Sequence, residues 1–316
     1  MKKQKRMYRL ARRRVQKMLT VGILGCAVVF AVCSFLLIRY GLQYRKAQEA
    51  SRELRDIYRA ETAAPAEAAK STVPATPVPA TAAPSMAPAA TPFTAPQMTL
   101  APWSTAYPLN PYLAVRSPFV DLQKKNPDIV GWLTIGGLLD EAVVQRDNEY
   151  YLKQDYLKRS NDNGALFLDE DCSLKSRPPL YVVYGHNMKS GAMFGKLHDY
   201  EHLSYYREHP FLTFNTQYEN GEFVIFSVCD LPVSVIASAL NLYNRMDTQK
   251  YLDFIREVQV VSIYTSVLPM NEQDQLLLLV TCTGSDDTRR VVAARRLRDS
   301  ERREDVAALI REVRNK

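Results

Sequence analysis

The chain has 316 residues, with 41 Lys and Arg against 34 Asp and Glu and a formal net charge of +7. Nine of the basic residues fall within the first 17 positions, where no acid accompanies them, and without them the remainder carries −2. The basicity is a local topology signal, which excludes a basic nucleic-acid-binding surface as its cause.

Met18 to Ile38 follows, 21 positions without a charged residue. At about 1.5 Å per residue it is long enough to cross the hydrocarbon core of a bilayer. The basic flank, 1–17, is expected to stay cytoplasmic and the rest to lie outside. A cleaved signal peptide has a shorter apolar core, about 7–15 residues, so 18–38 is predicted to be an uncleaved anchor. Residues 39–61 are charged with both signs interspersed and read as a solvated juxtamembrane helix. From 62 to 104 the composition changes: nine of the chain's 18 prolines lie there among Ala, Thr and Ser. Such a stretch buries no core and reads as an extended spacer between membrane and domain. Residues 105–316 are ample for one folded domain.

Within the domain, Phe119 to Lys125 is predicted helical, with Asn126-Pro127-Asp128 as a break. Strands are predicted at Ile129–Ile135, Ala142–Gln145, Ala165–Leu168, Leu180–Tyr184, Phe211–Asn215, Glu222–Val228, Val233–Ile236, Leu276–Cys282 and Arg290–Leu297. Asp247 is placed as the N-cap of a helix from Thr248 to about Val258, with Tyr251, Phe254, Ile255 and Val258 on its apolar face. Ser300 to Arg314 reads as a charged amphipathic helix. Many short strands with few helices predict a mainly β fold, closed or nearly closed as a barrel.

Two strand ends carry chemistry. Leu276 to Cys282 is an apolar run that stops at a thiol; a turn rich in Gly, Ser and Asp follows, then Arg289 and Arg290. In the simplest hairpin Cys282 lies opposite Arg290, and a guanidinium beside a thiol favours thiolate. Leu180 to Tyr184 is a second apolar run, ending at Gly185-His186. Cys282, His186 and Arg290 are therefore the candidate catalytic set for covalent acyl transfer. Neighbouring strand residues face opposite sides, so only one of Arg289 and Arg290 can join them, and the choice between the two stays open by one residue. Cys26 and Cys33 fall in the apolar span. Cys172 and Cys229 are expected to be reduced and packed, and Asp230 makes Cys229 the poorer nucleophile. No zinc spacing is present, His198 and His202 lack a third ligand, and Asp286-Asp287 reads as turn chemistry, so no metal and no cofactor are expected.

Tyr184-Gly185-His186-Asn187-Met188 followed by Met193-Phe194-Gly195-Lys196-Leu197 resembles the histidine region of class B sortases. Thr281-Cys282 and the Arg before Val291-Val292 resemble the rest of that site, as do Asn126 to Leu133, Val143-Val144-Gln145 and Asp147 to Leu152. Val280 departs from the pattern, because many class B members have Ser two positions before the Cys. The resemblance covers about Val120 to Leu297. It implies an eight-stranded sortase-like β-barrel with peripheral helices, a longer helix between strands six and seven, and a membrane-anchored cysteine transpeptidase. Its implied partners are surface proteins bearing a C-terminal sorting signal and an amine acceptor in the cell wall or on a pilin. Its implied substrate contacts are Tyr184, Asn148 and Thr281. It also implies a catalytic domain on the extracellular face of a Gram-positive membrane. Two other readings share these residues: a wall-directed cysteine hydrolase, with water as acceptor, and a tethered binding module without catalysis.

Overall fold

The structure is a computed structural model, and it describes residues 2–63, 107–240, 248–265, 267–283, 285 and 287–316, with side chains from 18 onward. The predicted spacer, 62–104, lies almost wholly outside these residues, as does the proposed N-cap Asp247.

Eight strands close a barrel in the order β1-β2-β3-β4-β7-β8-β6-β5. They are β1 (Ile129–Ile135), β2 (Leu139–Val144), β3 (Leu166–Leu168), β4 (Leu180–Tyr184), β5 (Phe211–Thr216), β6 (Glu222–Pro232), β7 (Leu276–Cys282) and β8 (Thr288–Arg296). Closure leaves no free sheet edge. Most neighbours are antiparallel, but β2 with β3 and β4 with β7 are parallel. Leu276 to Leu279 are fully buried, as are Leu180, Val182 and Val183. These runs read as continuous apolar segments rather than alternating ones because they are covered on both faces.

The helices are α1 (Lys2–Ala63), α2 (Ser117–Lys125), α3 (Leu203–Glu208), α4 (Val233–Leu240), α5 (Thr248–Val260) and α6 (Arg303–Arg311). Helix α5 lies between β6 and β7 and buries Tyr251, Phe254, Ile255 and Val258, the stripe its sequence spacing set out. Val233–Ile236 corrects an expectation: it begins a helix, not a strand. Its β-branched residues suggested extended chain, but Val233, Ile236, Ala237 and Leu240 follow the i, i+3, i+4, i+7 spacing of one helical face. Helix α3 and a 3-10 turn at Gly195–Glu201 had no counterpart in the sequence reading. His198 lies in that turn and His202 only caps α3, so the two share no α-helical face.

Helix α1 runs without interruption from the apolar stretch into contact with the barrel. Residues 18–38 are exposed almost throughout, as a lipid-facing segment would be. Past them the expected solvated helix is corrected. Ala47, Ala50, Leu54 and Tyr58 are buried, one side of the helix at 3.6-residue spacing. The Tyr58 ring stacks on Trp132, with centroids 4.3 Å apart and planes 5° from parallel. Arg55 donates to the Asp140 carbonyl and to Glu141, and Arg59 pairs with Asp140 at 2.6 Å. Toward the apolar stretch, Arg159 donates to the Lys46 carbonyl at 2.9 Å and Asn161 to the Gln43 carbonyl at 3.2 Å. Beyond the undescribed segment, Tyr107 is buried and its hydroxyl donates to the Leu174 carbonyl at 2.8 Å. Tyr58 and Tyr107, on either side of that segment, thus both pack on the domain, which grips α1 before the segment begins.

Two outcomes follow from this docking. Leu54→Ala removes a fully buried side chain and is expected to cost about 2–5 kcal/mol, read from denaturant unfolding. Glu141, facing α1, has its carboxyl pushed up to about 7 by burial, against an ordinary 4.5. Between those values the folded protein holds a proton that the unfolded chain releases. Stability therefore falls as pH rises through the window, by up to about 1.4 kcal/mol per pH unit. Glu141→Gln is expected to remove that slope, seen as a wild-type-minus-variant difference in unfolding free energy between pH 4.5 and 7.

Candidate active site

The parallel register of β4 and β7 brings two distant pieces of chain to the same rim. Tyr184 lies beside Val280, and the strands run in the same direction. The next residues continue the pairing: Gly185 N–H donates to the Val280 carbonyl at 3.2 Å, and the Thr281 hydroxyl donates to the Gly185 carbonyl at 2.7 Å. His186 and Cys282 are each one position further on, so they leave the barrel side by side. Gly185 is required by close packing. A Cβ there would lie 2.5 Å from Leu166 Cδ2 and 2.8 Å from Phe194 Cδ2.

Strand β8 returns antiparallel to β7 and sets Cys282 opposite Arg289 and Thr281 opposite Arg290. This corrects the hairpin drawn from sequence by one residue. The register is fixed by the apolar pairs below it, Val280 with Val291 and Leu279 with Val292, and a one-residue slip would turn these side chains to the other face. Arg290 faces away from Cys282. Its Nε lies 2.5 Å from Asp230 Oδ1, its Nη2 donates to Asp230 Oδ2 at 3.2 Å, and its Nη1 lies 2.7 Å from Glu201 Oε1. The guanidinium is 9% exposed and committed to two carboxylates. Arg289 stays at the rim, its Nη1 donating to the carbonyls of Ser285 (3.1 Å) and Thr288 (2.9 Å).

His186, Cys282 and Arg289 line one cleft of about 520 Å³. Much of its lining is apolar: Val233, Ile236, Ala237 and Leu240 of α4, with Leu152 and Phe167. Tyr184 and Asn148 line it too, Tyr184 beside Phe167. Their polar atoms are organised by Asp169, a residue the sequence reading passed over. The Tyr184 hydroxyl and the Asn148 amide each donate to Asp169 Oδ2 at 3.1 Å. Asn148 Oδ1 accepts from Glu170 N–H at 3.0 Å. Burial raises the Asp169 carboxyl above the usual carboxylate range. Thr281 also borders the cleft, but its hydroxyl is held by the Gly185 carbonyl.

His186 Nε2 lies 2.8 Å from the Leu152 carbonyl. A carbonyl oxygen only accepts, so Nε2 carries hydrogen and Nδ1 is the nitrogen left for proton exchange in the neutral ring. The loop supplying Leu152 turns at Gly164, φ +61°, where a Cβ would come 2.6 Å from the Tyr151 carbonyl oxygen and 3.1 Å from His186 Cδ2. Of the other cysteines outside the apolar span, Cys172 and Cys229 are buried and in no disulfide. Burial pushes the Cys229 thiol up to about 12, which removes it as a nucleophile at neutral pH. Among the described residues no cluster of three metal-ligating side chains occurs.

The two arginines are expected to separate in stability. Arg290→Ala removes hydrogen bonds to charged groups and is expected to cost about 2 kcal/mol, since its half-exposed carboxylate partners rehydrate. Arg289→Ala, at the rim, is expected to shift stability by less than about 0.5 kcal/mol. Chemical denaturation of the two variants side by side measures the difference.

No family model matches the chain. The curated sortase B of Listeria monocytogenes is 31% identical over 175 residues, spanning 55% of this chain and 70% of that protein. The sortase B of Staphylococcus aureus is 29% identical over 187 residues, 58% of this chain and 75% of its own length. Among solved structures, a Staphylococcus aureus sortase B–substrate complex superposes with a TM-score of 0.53 at 29% identity, covering 59% of this chain and 87% of that one. A Bacillus anthracis sortase B structure gives a TM-score of 0.59 at 23% identity over 81% of this chain and 98% of that one, a likeness of fold. An eight-stranded barrel, a thiol and an imidazole at one rim, and these relatives together place the chain in the class B sortase family of cysteine transpeptidases.

Proposed function

We propose that this protein is held in a membrane by residues 18–38 and that its cleft cleaves a sorting signal near the C-terminus of secreted surface proteins, passing the acyl group to an amine. The observation that carries this reading is the shared cleft of Cys282, His186 and Arg289. Cys282 Sγ attacks the scissile carbonyl carbon, and the C–N bond breaks as the departing amine takes a proton from His186. The product is a thioester on Cys282. An incoming amine gives its proton to neutral His186, attacks the thioester carbonyl and releases the sulfur. Arg289, opposite Cys282 in the β7–β8 pair, supplies positive charge to the sulfur and a donor to the oxyanion that forms during each attack. This role moves from Arg290 to Arg289 because Arg290 is already paired on the far face. Tyr184 and Asn148 are assigned to the wall that receives the peptide, and the apolar α4 side suits an extended segment with an apolar side chain.

The basic flank 1–17 orients α1 with its N-terminus in the cytoplasm and the barrel outside. Because the barrel grips α1 from Gln43 onward, five residues past Ile38, the cleft works close to the outer membrane surface. The helix rise across that gap is about 8 Å. Such a position suits substrates and acceptors held in the same membrane, a cell-wall precursor among them; a pilin lysine is the other amine class.

The test is a peptide-library cleavage assay read by mass spectrometry, with and without hydroxylamine as the amine. Wild type is expected to form a thioester at Cys282 and to partition to the hydroxamate over the acid. Cys282→Ala is expected to form none, and His186→Ala and Arg289→Ala to lose at least about a hundredfold in kcat/KM. Partition to water alone would instead make the protein a hydrolase, and full activity of Arg289→Ala would remove that residue from the chemistry.

A further inference from the structure

Asn187, the residue after His186, makes a bridge that the chemistry above does not use. Its Nδ2 lies 3.1 Å from the Cys282 carbonyl oxygen and 2.7 Å from His198 Nε2. The carbonyl only accepts, so the amide nitrogen must face it, which fixes the orientation of the carboxamide. The two hydrogens of one NH2 group then serve both partners, and His198 Nε2 is the acceptor of the second. The proton of the neutral ring sits on Nδ1, 3.6 Å from Glu201 Oε1. Glu201 in turn meets Arg290 at 2.7 Å, and Arg290 holds Asp230. A continuous polar path therefore runs from the backbone of Cys282, through Asn187, His198 and Glu201, to the buried guanidinium on the far face of β8.

We propose that Asn187 is a positioning residue: it ties the loop that carries His186 to the strand end that carries Cys282, with His198 as the acceptor that holds its amide in place. The proposal rests on Cys282 and His186 being the reacting pair. The geometry gives it a task. Past Tyr184 and Val280 the two chains are joined by the Gly185 N–H bond and the Thr281 hydroxyl. Beyond those, Asn187 is the cross-link between the segments that bear the two side chains. The loop itself is pinned on its other side by Phe194 N–H to the His186 carbonyl at 3.0 Å. The 3-10 turn bearing His198 is anchored through Glu201 to Arg290, whose strand pairs with β7 next to Cys282. The same strand pair thus supports the cleft from both faces: Arg289 toward the sulfur, and Arg290 toward the turn that sets Asn187.

The experiment compares Asn187→Ala, Asn187→Asp, His198→Leu and His198→Gln in the full chain, in detergent. It uses the library peptide that wild type cleaves fastest and reads amide hydrogen exchange of the same samples without peptide. Asn187→Ala and Asn187→Asp are expected to lower kcat about ten- to a hundredfold, the scale of a slightly misplaced reacting group. KM is expected to stay within about twofold, because the substrate-binding walls are untouched. Exchange is expected to quicken in 281–283 and 186–194 and to stay unchanged in β6 and the body of β8. His198→Gln presents a side-chain oxygen that accepts from Asn187 and is expected to retain most of kcat, whereas His198→Leu should match Asn187→Ala. Wild-type kcat in both Asn187 variants, unchanged exchange at 281–283, or equal behaviour of His198→Gln and His198→Leu would each overturn the assignment. Cys282→Ala, run alongside, separates the two claims. If it is inactive while the Asn187 variants are normal, only the positioning role falls; if it is active, the catalytic reading falls with it.

Discussion

The parallel pairing of β4 with β7 is the constraint on which the rest of this molecule depends. Two strands nearly a hundred residues apart in sequence run in one direction, side by side, and stop at the same rim. Parallel neighbours need a crossover connection, and here it carries β5, β6, α4 and α5. The crossover is used as well as required, since α4 supplies the apolar wall of the cleft. The pairing converts two unremarkable strand ends, a thiol and an imidazole, into neighbours. Antiparallel β8 then adds a guanidinium by register alone.

Much of this was legible in the sequence. Continuous apolar runs at 180–184 and 276–282 gave both strands their bounds because both are buried on two faces. The stripe Tyr251, Phe254, Ile255, Val258 placed α5. What the sequence could not give was the pairing sum between β7 and β8. The turn holds Gly and Asp residues compatible with more than one length, and Arg289 and Arg290 are chemically identical. The choice between them is made by the register of the apolar pairs, and Arg290, on the other face, is taken up by carboxylates that lie far off in sequence: Asp230 on β6 and Glu201 in the 3-10 turn. Asp169 was missed for a related reason. An isolated Asp after a short strand carries no local signal, and its work is done through Tyr184 and Asn148.

Helix α1 shows a different failure. Ala47, Ala50, Leu54 and Tyr58 form a clear helical stripe, but small residues among many charges suggested a solvated helix. Alanine contributes little to a hydropathy pattern, yet it permits close approach, and here it lets α1 lie on the barrel. The consequence reaches function. The domain is gripped by the same helix that carries the apolar stretch 18–38. The candidate span and the barrel are thereby joined through one packed face, centred on Tyr58 and Trp132.

The most direct test of the account is an experimental structure of the protein with a peptide analogue bonded to Cys282 Sγ. The account expects the peptide to lie along the α4 wall. It expects the Arg289 guanidinium to donate to the carbonyl oxygen next to the sulfur, with the His186 ring within hydrogen-bond reach and Arg290 still paired with Asp230 and Glu201. A structure in which Arg290 leaves those carboxylates to bind the carbonyl, or in which His186 lies on the far side of the rim from the sulfur, would contradict it.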